Sequence, residues 1–187
     1  VVNVINMLGQ KAVGLSGRDG KIVTAERIYH EESTGGQKKK VSLGQVGRVK
    51  EVDPTLIFTL LSNDYIPVIT CIASDENGDS FNINADLFAG SIAGHLKASV
   101  FGVLTDVDGL LRDVKDPDSL IKELHINDIR DLLGQGVIVG GMIPKVDACR
   151  TAVENGAKRS LIINGKKPEQ ILSIMDDNQS VGTTIIN

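Results

Sequence analysis

The segment Asn82-Ile83-Asn84-Ala85-Asp86 carries short polar side chains at alternate positions, directly before a helical pattern. In an extended stretch, residues two apart point to the same side, so these side chains can face one cavity and form part of a ligand site. Helix capping explains Asn84 equally well, and Asp86 in the first helical turn could simply complement the helix dipole. By itself the segment leaves ligand binding and capping both open.

A second polar segment, TDVDGLL at residues 105–111, follows the all-apolar run VFGVL at 100–104. The run predicts a central parallel strand covered on both faces, so the polar segment falls at its carboxyl end. Ligands collect at that edge of open α/β sheets, which makes this loop a candidate nucleotide site. Calcium is disfavoured, because the two leucines break the ligand pattern and no glutamate stands at the twelfth loop position counted from Asp106.

A glycine-rich segment, GVIVGGMIPK at residues 136–145, leads into a predicted helix with Pro144 suited to its first position. The paired glycines let backbone approach a phosphate closely. Lys145 then stands in the first helical turn, where a cation opposes the helix dipole unless an anion lies nearby. The segment is not a Walker loop, and the near match at 14–21 has the wrong glycine spacing.

The elements that must position these segments follow from the apolar pattern. Short runs rich in valine and isoleucine alternate with helical patterns, which predicts an α/β fold with an open, mainly parallel sheet sandwiched by helices. Near the N-terminal end, Asp19-Gly20 between two short strands predicts a β-hairpin. The stretch 41–52 predicts a further strand pair or an irregular crossing, and 75–79 a polar turn.

Spacing and capping residues predict the individual elements. Helices are expected at 1–8, after an Asp53-Pro54 cap, at 84–97, around Ile126 to Leu133, and at 145–154 and 168–175. Strands are expected at 12–15, 21–25, 66–69 (a buried strand), from 81, and at 100–104, 160–163 and 183–186.

Composition limits the classes of function. The chain has 187 residues, 41% of them hydrophobic, with a formal net charge of -4, which fits one compact folded unit and argues against a nucleic acid partner. Its basic run at 38–40 is interpreted as part of a solvated loop. Cys71 and Cys149 are interpreted as buried free thiols. No apolar run reaches 18 residues, so we expect no membrane span and a cytoplasmic location, with the interior of an organelle as the alternative.

Taken together, FNINAD at 81–86, LTDVDGLL at 104–111 and GGMIPK at 140–145 resemble the amino acid kinase family, in particular its acetylglutamate kinase branch. The similarity extends to AVGLSGRDG at 12–20, LGQVGRVKEV at 43–52 and VGTTI at 181–185. It implies a carbamate-kinase-like fold and phosphorylation of the γ-carboxylate of N-acetyl-L-glutamate by ATP with Mg2+, in arginine biosynthesis. It also implies that 1–75 belong to the acetylglutamate-binding and dimerisation lobe, and 76–187 to the ATP-binding lobe.

The same resemblance implies roles for single residues. Asn82 would bind acetylglutamate, Asp86 would organise the catalytic lysines, and Lys145 would stabilise the phosphoryl group during transfer. No side chain of this chain is implied as a metal ligand. ATP would lie along two segments, which comprise Thr105, Asp106, Val107, Asp108, Gly109, Leu110 and Leu111, and Val137, Ile138, Val139, Gly140, Gly141 and Met142.

The resemblance is incomplete at the start of the chain. The family's lysine- and glycine-rich phosphate loop, a second glycine pair and a substrate-binding arginine lie upstream of what corresponds to Val1, and Gly35-Gly36 does not replace them. We therefore expect an upstream segment, an inactive protein from these residues alone, and a homodimer or larger homo-oligomer. A catalytically incomplete nucleotide-binding or regulatory fragment, and a family member with another carboxylate acceptor, stay open as alternatives.

Overall fold

The computed structural model describes residues 1–34, 37–174 and 181–187. The chain divides into two compact units, Val1–Phe88 and Ala89–Asn187, and not into the single unit that its length predicted. The division into functional lobes after residue 75 stays a prediction. Within the described residues, no helix combines the length and apolar character that crossing a membrane requires.

The first unit contains two sheets. Its elements are α1 (Val2–Met7), β1 (Lys11–Ser16), β2 (Val23–Thr34), β3 (Gln37–Val52), α2 (Thr55–Leu61), β4 (Tyr65–Thr70), β5 (Ile72–Ser74), β6 (Ser80–Ile83) and the start of α3 (Ala85–His95). Strands β1 and β4 pair in parallel, and β2, β3, β6 and β5 close into a small barrel. The barrel interior is apolar and includes Phe81 and Ile83.

The hairpin predicted at Asp19-Gly20 is wrong, because β1 pairs with β4 and not with the strand that follows it. Residues Asp19–Lys21 form one 3-10 turn, in which the Asp19 carboxylate accepts hydrogen bonds from the backbone nitrogen and hydroxyl of Ser16 at 2.7 and 2.9 Å. These bonds hold the pKa of Asp19 below its usual value. An Asp-Gly pair signals a turn, but it does not determine whether the flanking strands pair.

The hairpin of this region is formed by β2 and β3, which pair antiparallel from Val23 opposite Val52 to Thr34 opposite Gln37. The stretch 41–52 is therefore the second part of one long strand, with two register shifts in the ladder, and not a separate strand pair. The backbone of residues 38–40 lies within β3, so the prediction of a loop there is wrong. Gly35-Gly36 lies outside the described residues.

The second unit is built on one four-stranded sheet. After the end of α3 it contains β7 (Phe101–Thr105), β8 (Glu123–His125), α4 (Ile129–Gly134), α5 (Met142–Glu154), β9 (Ser160–Asn164), α6 (Pro168–Ser173) and β10 (Thr183–Ile186). The strand order is β7-β9-β10-β8, with β7 and β9 parallel, β10 and β8 parallel, and β9 antiparallel to β10. This mixed α/β arrangement, with parallel pairs and flanking helices, confirms the predicted fold class.

Within the described residues, the strand predicted at 100–104 does not take the central position expected of it. Among the described strands, β7 pairs only with β9 and forms the edge of the sheet. Phe101 and Val103 are buried, whereas the side chain of Leu104 is 53% exposed. The interior strands of the described sheet are β9 and β10, and β9 is buried at every position. An all-apolar run does not distinguish an edge strand from a central one when its outward residues are also apolar.

The other predicted elements are found with small differences. Helix α2 follows Asp53, whose carboxylate accepts a hydrogen bond from the Thr55 backbone nitrogen at 3.0 Å. The helix expected at 84–97 is α3, and Phe88 and Ile92 on its apolar stripe are buried. The strand predicted at 66–69 lies within β4, but Ile66 is exposed, so the expected burial is wrong there. Of the helix predicted at 168–175, residue 175 lies outside the described residues.

The two cysteines are free thiols, as predicted, but only one is fully buried. Cys149 on α5 is buried, whereas Cys71, between β4 and β5, is half-buried.

Candidate functional site

Asn82 lies on the outer side of β6 in the first unit. Its neighbours Phe81 and Ile83 are buried in the barrel, so the strand alternation turns Asn82 to the exposed face. Pairing with Val46 and Ile72 on the two adjacent strands fixes its backbone. The Cys71 thiol lies 3.8 Å from the Asn82 side-chain oxygen, as a weak donor. This leaves the amide nitrogen of Asn82, which has no acceptor among the described residues, to face a ligand.

Asn84 has the capping role that the sequence left open. Its side-chain oxygen accepts a hydrogen bond from the Leu87 backbone nitrogen at 3.1 Å, which is the geometry of a helix N-cap. Asp86 follows in the first turn of α3 and is half-buried. Within the first unit, Asn82 and Asp86 thus remain the candidates for substrate chemistry. Lys145 belongs to the second unit.

The loop at 105–111 is fixed to the second unit at several points. The Gly165 backbone nitrogen donates to the Thr105 carbonyl oxygen at 2.8 Å, where β7 ends beside β9. At the far end, the backbone nitrogen of buried Leu110 donates to the Thr183 hydroxyl oxygen at 2.8 Å. Gly109 lies between these anchors with φ of +138°, a conformation that favours glycine. The loop is therefore anchored by hydrogen bonds at both ends.

The Asp108 side chain is held by Asn164, the last residue of β9, and by Lys167, which follows this strand. Its carboxylate accepts hydrogen bonds from the Lys167 ammonium at 2.8 Å and from the Asn164 side-chain nitrogen at 2.8 Å. These bonds hold the pKa of Asp108 below its usual value, and the bond from Lys167 has the largest effect. Asp108 is about half-exposed, which weakens the ion pair, whereas Asn164 is buried.

Sequence reasoning missed Asn164, Lys167 and Thr183 as parts of this site. Asn164 could have been found, because it is the polar residue that ends β9 after three apolar residues and therefore lies at the carboxyl edge of the sheet. Thr183 gave no such signal, since its role depends on a contact with a residue distant in the chain.

The segment at 137–142 combines an anchored start with an open end. The backbone nitrogens of Val137 and Ile138 donate to the Leu132 carbonyl oxygen at 3.0 and 3.3 Å, and the Ile138 side chain is buried. Gly140 has φ of +53°, and a Cβ atom on Gly140 or Gly141 would meet no atom within 4 Å. The surface beside these two exposed glycines is therefore open.

Helix α5 begins three residues before the predicted range of 145–154. It starts at Met142, so Pro144 is its third residue and Lys145 its fourth. The first four backbone nitrogens of a helix have no intrahelical acceptor, so proline is tolerated at the third position as well as the first. Lys145 therefore lies at the end of the first turn and is half-buried.

The loop at 105–111 follows β7, and the segment at 137–145 leads into a helix whose start lies towards the same edge of the sheet. Helix α5 packs on β7, β9 and β10, and the short connection 155–159 joins its end to the start of β9. The Ser160 hydroxyl at the start of β9 donates to the Cys149 carbonyl oxygen on α5 at 3.0 Å. The helix thus runs antiparallel to β9, and its first turn lies where β7 and β9 end. The structure brings the two predicted ATP segments and Lys145 to this edge.

Both segments present unused hydrogen-bond donors. The backbone nitrogens of residues 107–109 and of residues 139–141 have no acceptor within the part of the chain that the structure describes. Consecutive backbone N–H groups next to glycines and a helix start form a favourable environment for anions such as phosphate. The arrangement at this edge is thus suited to binding a polyphosphate.

Comparison with known proteins agrees with this architecture. The model of the amino acid kinase family matches residues 2–164. The chain is 41% identical over 186 residues to the acetylglutamate kinase of Methanococcus maripaludis strain C7, and 42% identical to that of Moorella thermoacetica. Each alignment covers all of this chain and 63% of the relative, so the chain spans less than two thirds of these curated relatives.

Among solved structures, the carbamate kinase of Giardia superposes with a TM-score of 0.66 at 22% identity, covering 100% of this chain and 66% of that one. This similarity supports the fold that the resemblance implied. The family match covers well over half of the chain, and the chain belongs to the amino acid kinase family.

Proposed function

We propose that the protein catalyses transfer of the γ-phosphoryl group of ATP to the γ-carboxylate of N-acetyl-L-glutamate, a step of arginine biosynthesis. The observation that carries the proposal is the pair of donor stretches, residues 107–109 and 139–141, at one sheet edge beside Lys145. The identity of about two fifths with acetylglutamate kinases supports the acceptor.

The residues present suit phosphorylation of a carboxylate. A γ-carboxylate with a pKa of about 4.3 is already ionised at pH 7, so the reaction needs no general base to activate the acceptor. What it requires is alignment of two anions and neutralisation of the charge that develops between them. Backbone donors and Lys145 can supply both. Asp86 acts in this scheme by orienting cations and not by accepting a proton.

The proposed nucleotide site is compatible with ATP carrying Mg2+. Within the described residues, no group of three or more histidine, cysteine, aspartate and glutamate side chains could hold a metal ion. Mg2+ in kinase sites is bound largely through substrate phosphates and water, with one or two carboxylates. Such an ion would neutralise phosphate charge, while this chain's N–H groups fix the phosphate oxygens in place.

Asn82 is the residue proposed to bind the acceptor. Asn82→Ala is expected to raise the KM for acetylglutamate by about 10- to 100-fold, because it removes a hydrogen-bond donor to an anion. The affinity for ADP should change by less than about twofold, since Asn82 acts on the acceptor alone. Steady-state ADP release by the full-length protein, with acetylglutamate varied, measures the first quantity and calorimetry the second.

Asn77→Ala is the matched control, because Asn77 is an exposed asparagine of the same unit that lies in the 75–79 turn. It should leave both quantities unchanged. An unaltered KM for acetylglutamate in Asn82→Ala, in a protein with normal unfolding behaviour, would show that Asn82 does not bind the acceptor.

The oligomeric state and the cellular location of the protein remain predictions from the sequence. Light scattering of the full-length protein tests the homodimer or larger homo-oligomer, and cell fractionation tests the cytoplasmic location.

A further inference from the structure

We propose that Asn164 and Lys167 are positioning residues of the nucleotide site that act through Asp108, and that the Asp108 carboxylate contacts neither metal nor phosphate. The inference rests on the proposed function, because it concerns the same nucleotide site. It assigns a role to the end of β9 that neither the family match nor the sequence motifs gave.

Both oxygens of Asp108 are already engaged by protein. Oδ1 accepts from the Asn164 side-chain nitrogen at 2.8 Å and lies 2.7 Å from the Lys167 ammonium, which also donates to Oδ2 at 2.8 Å. A carboxylate that binds Mg2+ needs a free oxygen lone pair directed at the ion. The closely paired Asp108 instead serves as a fixed attachment point for the loop.

Asn164 is itself held in place. Its side-chain oxygen accepts from the Lys166 backbone nitrogen at 3.0 Å, and its own backbone nitrogen donates to the Gln170 side-chain oxygen at 3.1 Å. Asn164 is buried, and every buried side-chain polar atom in the described part of the chain has a partner. The orientation of the Asn164 amide is thus determined by the backbone that follows β9.

Asn164 and Lys167, which together form a clamp on the Asp108 carboxylate, fix the loop that carries the proposed nucleotide-binding donors. The Asp108 backbone nitrogen is the middle one of the unused donors at 107–109, and the side chain of the same residue is fixed by Asn164 and Lys167. Leu110, two residues on, is anchored by Thr183. Donors fixed before binding lose less conformational entropy when the ligand arrives, so the clamp should increase nucleotide affinity.

Two other roles for these residues make different predictions. If Asp108 bound Mg2+, the Asp108→Asn change would weaken nucleotide binding only when Mg2+ is present. If Lys167 contacted a phosphate directly, its removal would weaken binding whether or not Asp108 carried a charge. A double-mutant cycle separates a residue that acts through Asp108 from one that acts on the ligand.

The experiment measures ADP binding to the full-length protein by calorimetry, with Mg2+ and with excess chelator. The proteins are the wild type, Lys167→Ala, Asp108→Asn and the double variant. We expect each single change to weaken binding by about three- to tenfold under both conditions, a modest loss because the ion pair is half-exposed. The double variant should bind no more weakly than Asp108→Asn alone. Lys167→Arg should retain most of the affinity.

Lys166→Ala is the control, because Lys166 is an exposed neighbour whose side chain lies outside the clamp. The Lys166→Ala protein should bind ADP with the affinity of the wild type. Asn164→Asp should weaken binding more than Lys167→Ala, since it brings a second carboxylate next to Asp108. The inference would be overturned if the losses of ADP affinity in the two single variants were additive in the double variant. It would also be overturned if the affinity fell only in the presence of Mg2+, or if Lys167→Ala bound ADP as tightly as the wild type. Failure of the wild type to bind ADP would instead remove the proposed function on which the inference rests.

Discussion

Lys145→Ala is expected to lower kcat for acetylglutamate phosphorylation by about 10²- to 10⁴-fold, while the KM for ATP changes by less than about threefold. Lys145 ends the first turn of α5, directly after the donors at 139–141. The helix dipole disfavours a cation there, and an anion that approaches the helix start would offset this cost. Because charge on the transferred phosphoryl group develops mainly in the transition state, loss of the ammonium should reduce turnover and leave nucleotide binding largely intact.

Initial rates of ADP release by the full-length protein measure this effect. Lys158→Ala is the control, because Lys158 is an exposed lysine of the same unit, in the connection before β9, and its turnover should equal that of the wild type. Lys145→Arg keeps the charge and should retain more activity than Lys145→Ala. Unchanged kcat in a folded Lys145→Ala protein would falsify the assigned role.

Gly182→Ala is expected to destabilise the second unit by about 3–5 kcal/mol, a value typical of a backbone clash at a strained position. Gly182 has φ of +66°, which an alanine adopts only with strain, and its added Cβ would overlap the Ile162 carbonyl oxygen and lie 2.8 Å from Ile163 Cγ2. To relieve this overlap, β10 must move away from β9. The two strands are paired from Thr183 opposite Ile162 onward. The same movement would withdraw the Thr183 hydroxyl from Leu110, so ADP affinity should fall as well.

Urea unfolding of the full-length protein, followed by circular dichroism, measures the loss of stability, and calorimetry measures the ADP affinity. Gly134→Ala is the matched control, because Gly134 ends α4 and an added Cβ there would meet no atom within 4 Å. Its stability should change by less than about 1 kcal/mol. A Gly182→Ala protein that unfolds at the wild-type urea concentration would contradict this account of the β9–β10 junction.

The sequence predicted those elements best whose formation depends on local residue spacing or turn chemistry alone. The apolar stripe of α3, the buried run of β9 and the turn at 75–79 each follow from local spacing or turn chemistry, and each is found. The predicted ATP segments also came from local features, a polar loop after an apolar strand and paired glycines before a helix. Both segments lie towards the carboxyl ends of β7 and β9, because α5 runs back along the sheet.

What the sequence missed depends on pairing between distant residues. The Asp19-Gly20 turn was taken as a hairpin because local turn chemistry does not reveal which strand is the partner, and β1 pairs instead with β4. The edge position of β7 could not be predicted, because strand order is a property of the whole sheet. The anchor Thr183 was missed for the same reason, since its hydroxyl accepts a hydrogen bond from a loop 73 residues earlier in the chain.

The central claim is that the full-length protein phosphorylates the carboxylate of N-acetyl-L-glutamate. Its most direct test incubates the protein with ATP, Mg2+ and hydroxylamine, which converts an acyl phosphate into a stable hydroxamate. Acetylglutamate, glutamate, aspartate and carbamate are compared as acceptors, with ADP release measured in parallel. The account predicts ADP release and hydroxamate formation in equal amounts with acetylglutamate, and little of either with the other acceptors. Turnover with one of the other acceptors, and none with acetylglutamate, would contradict it.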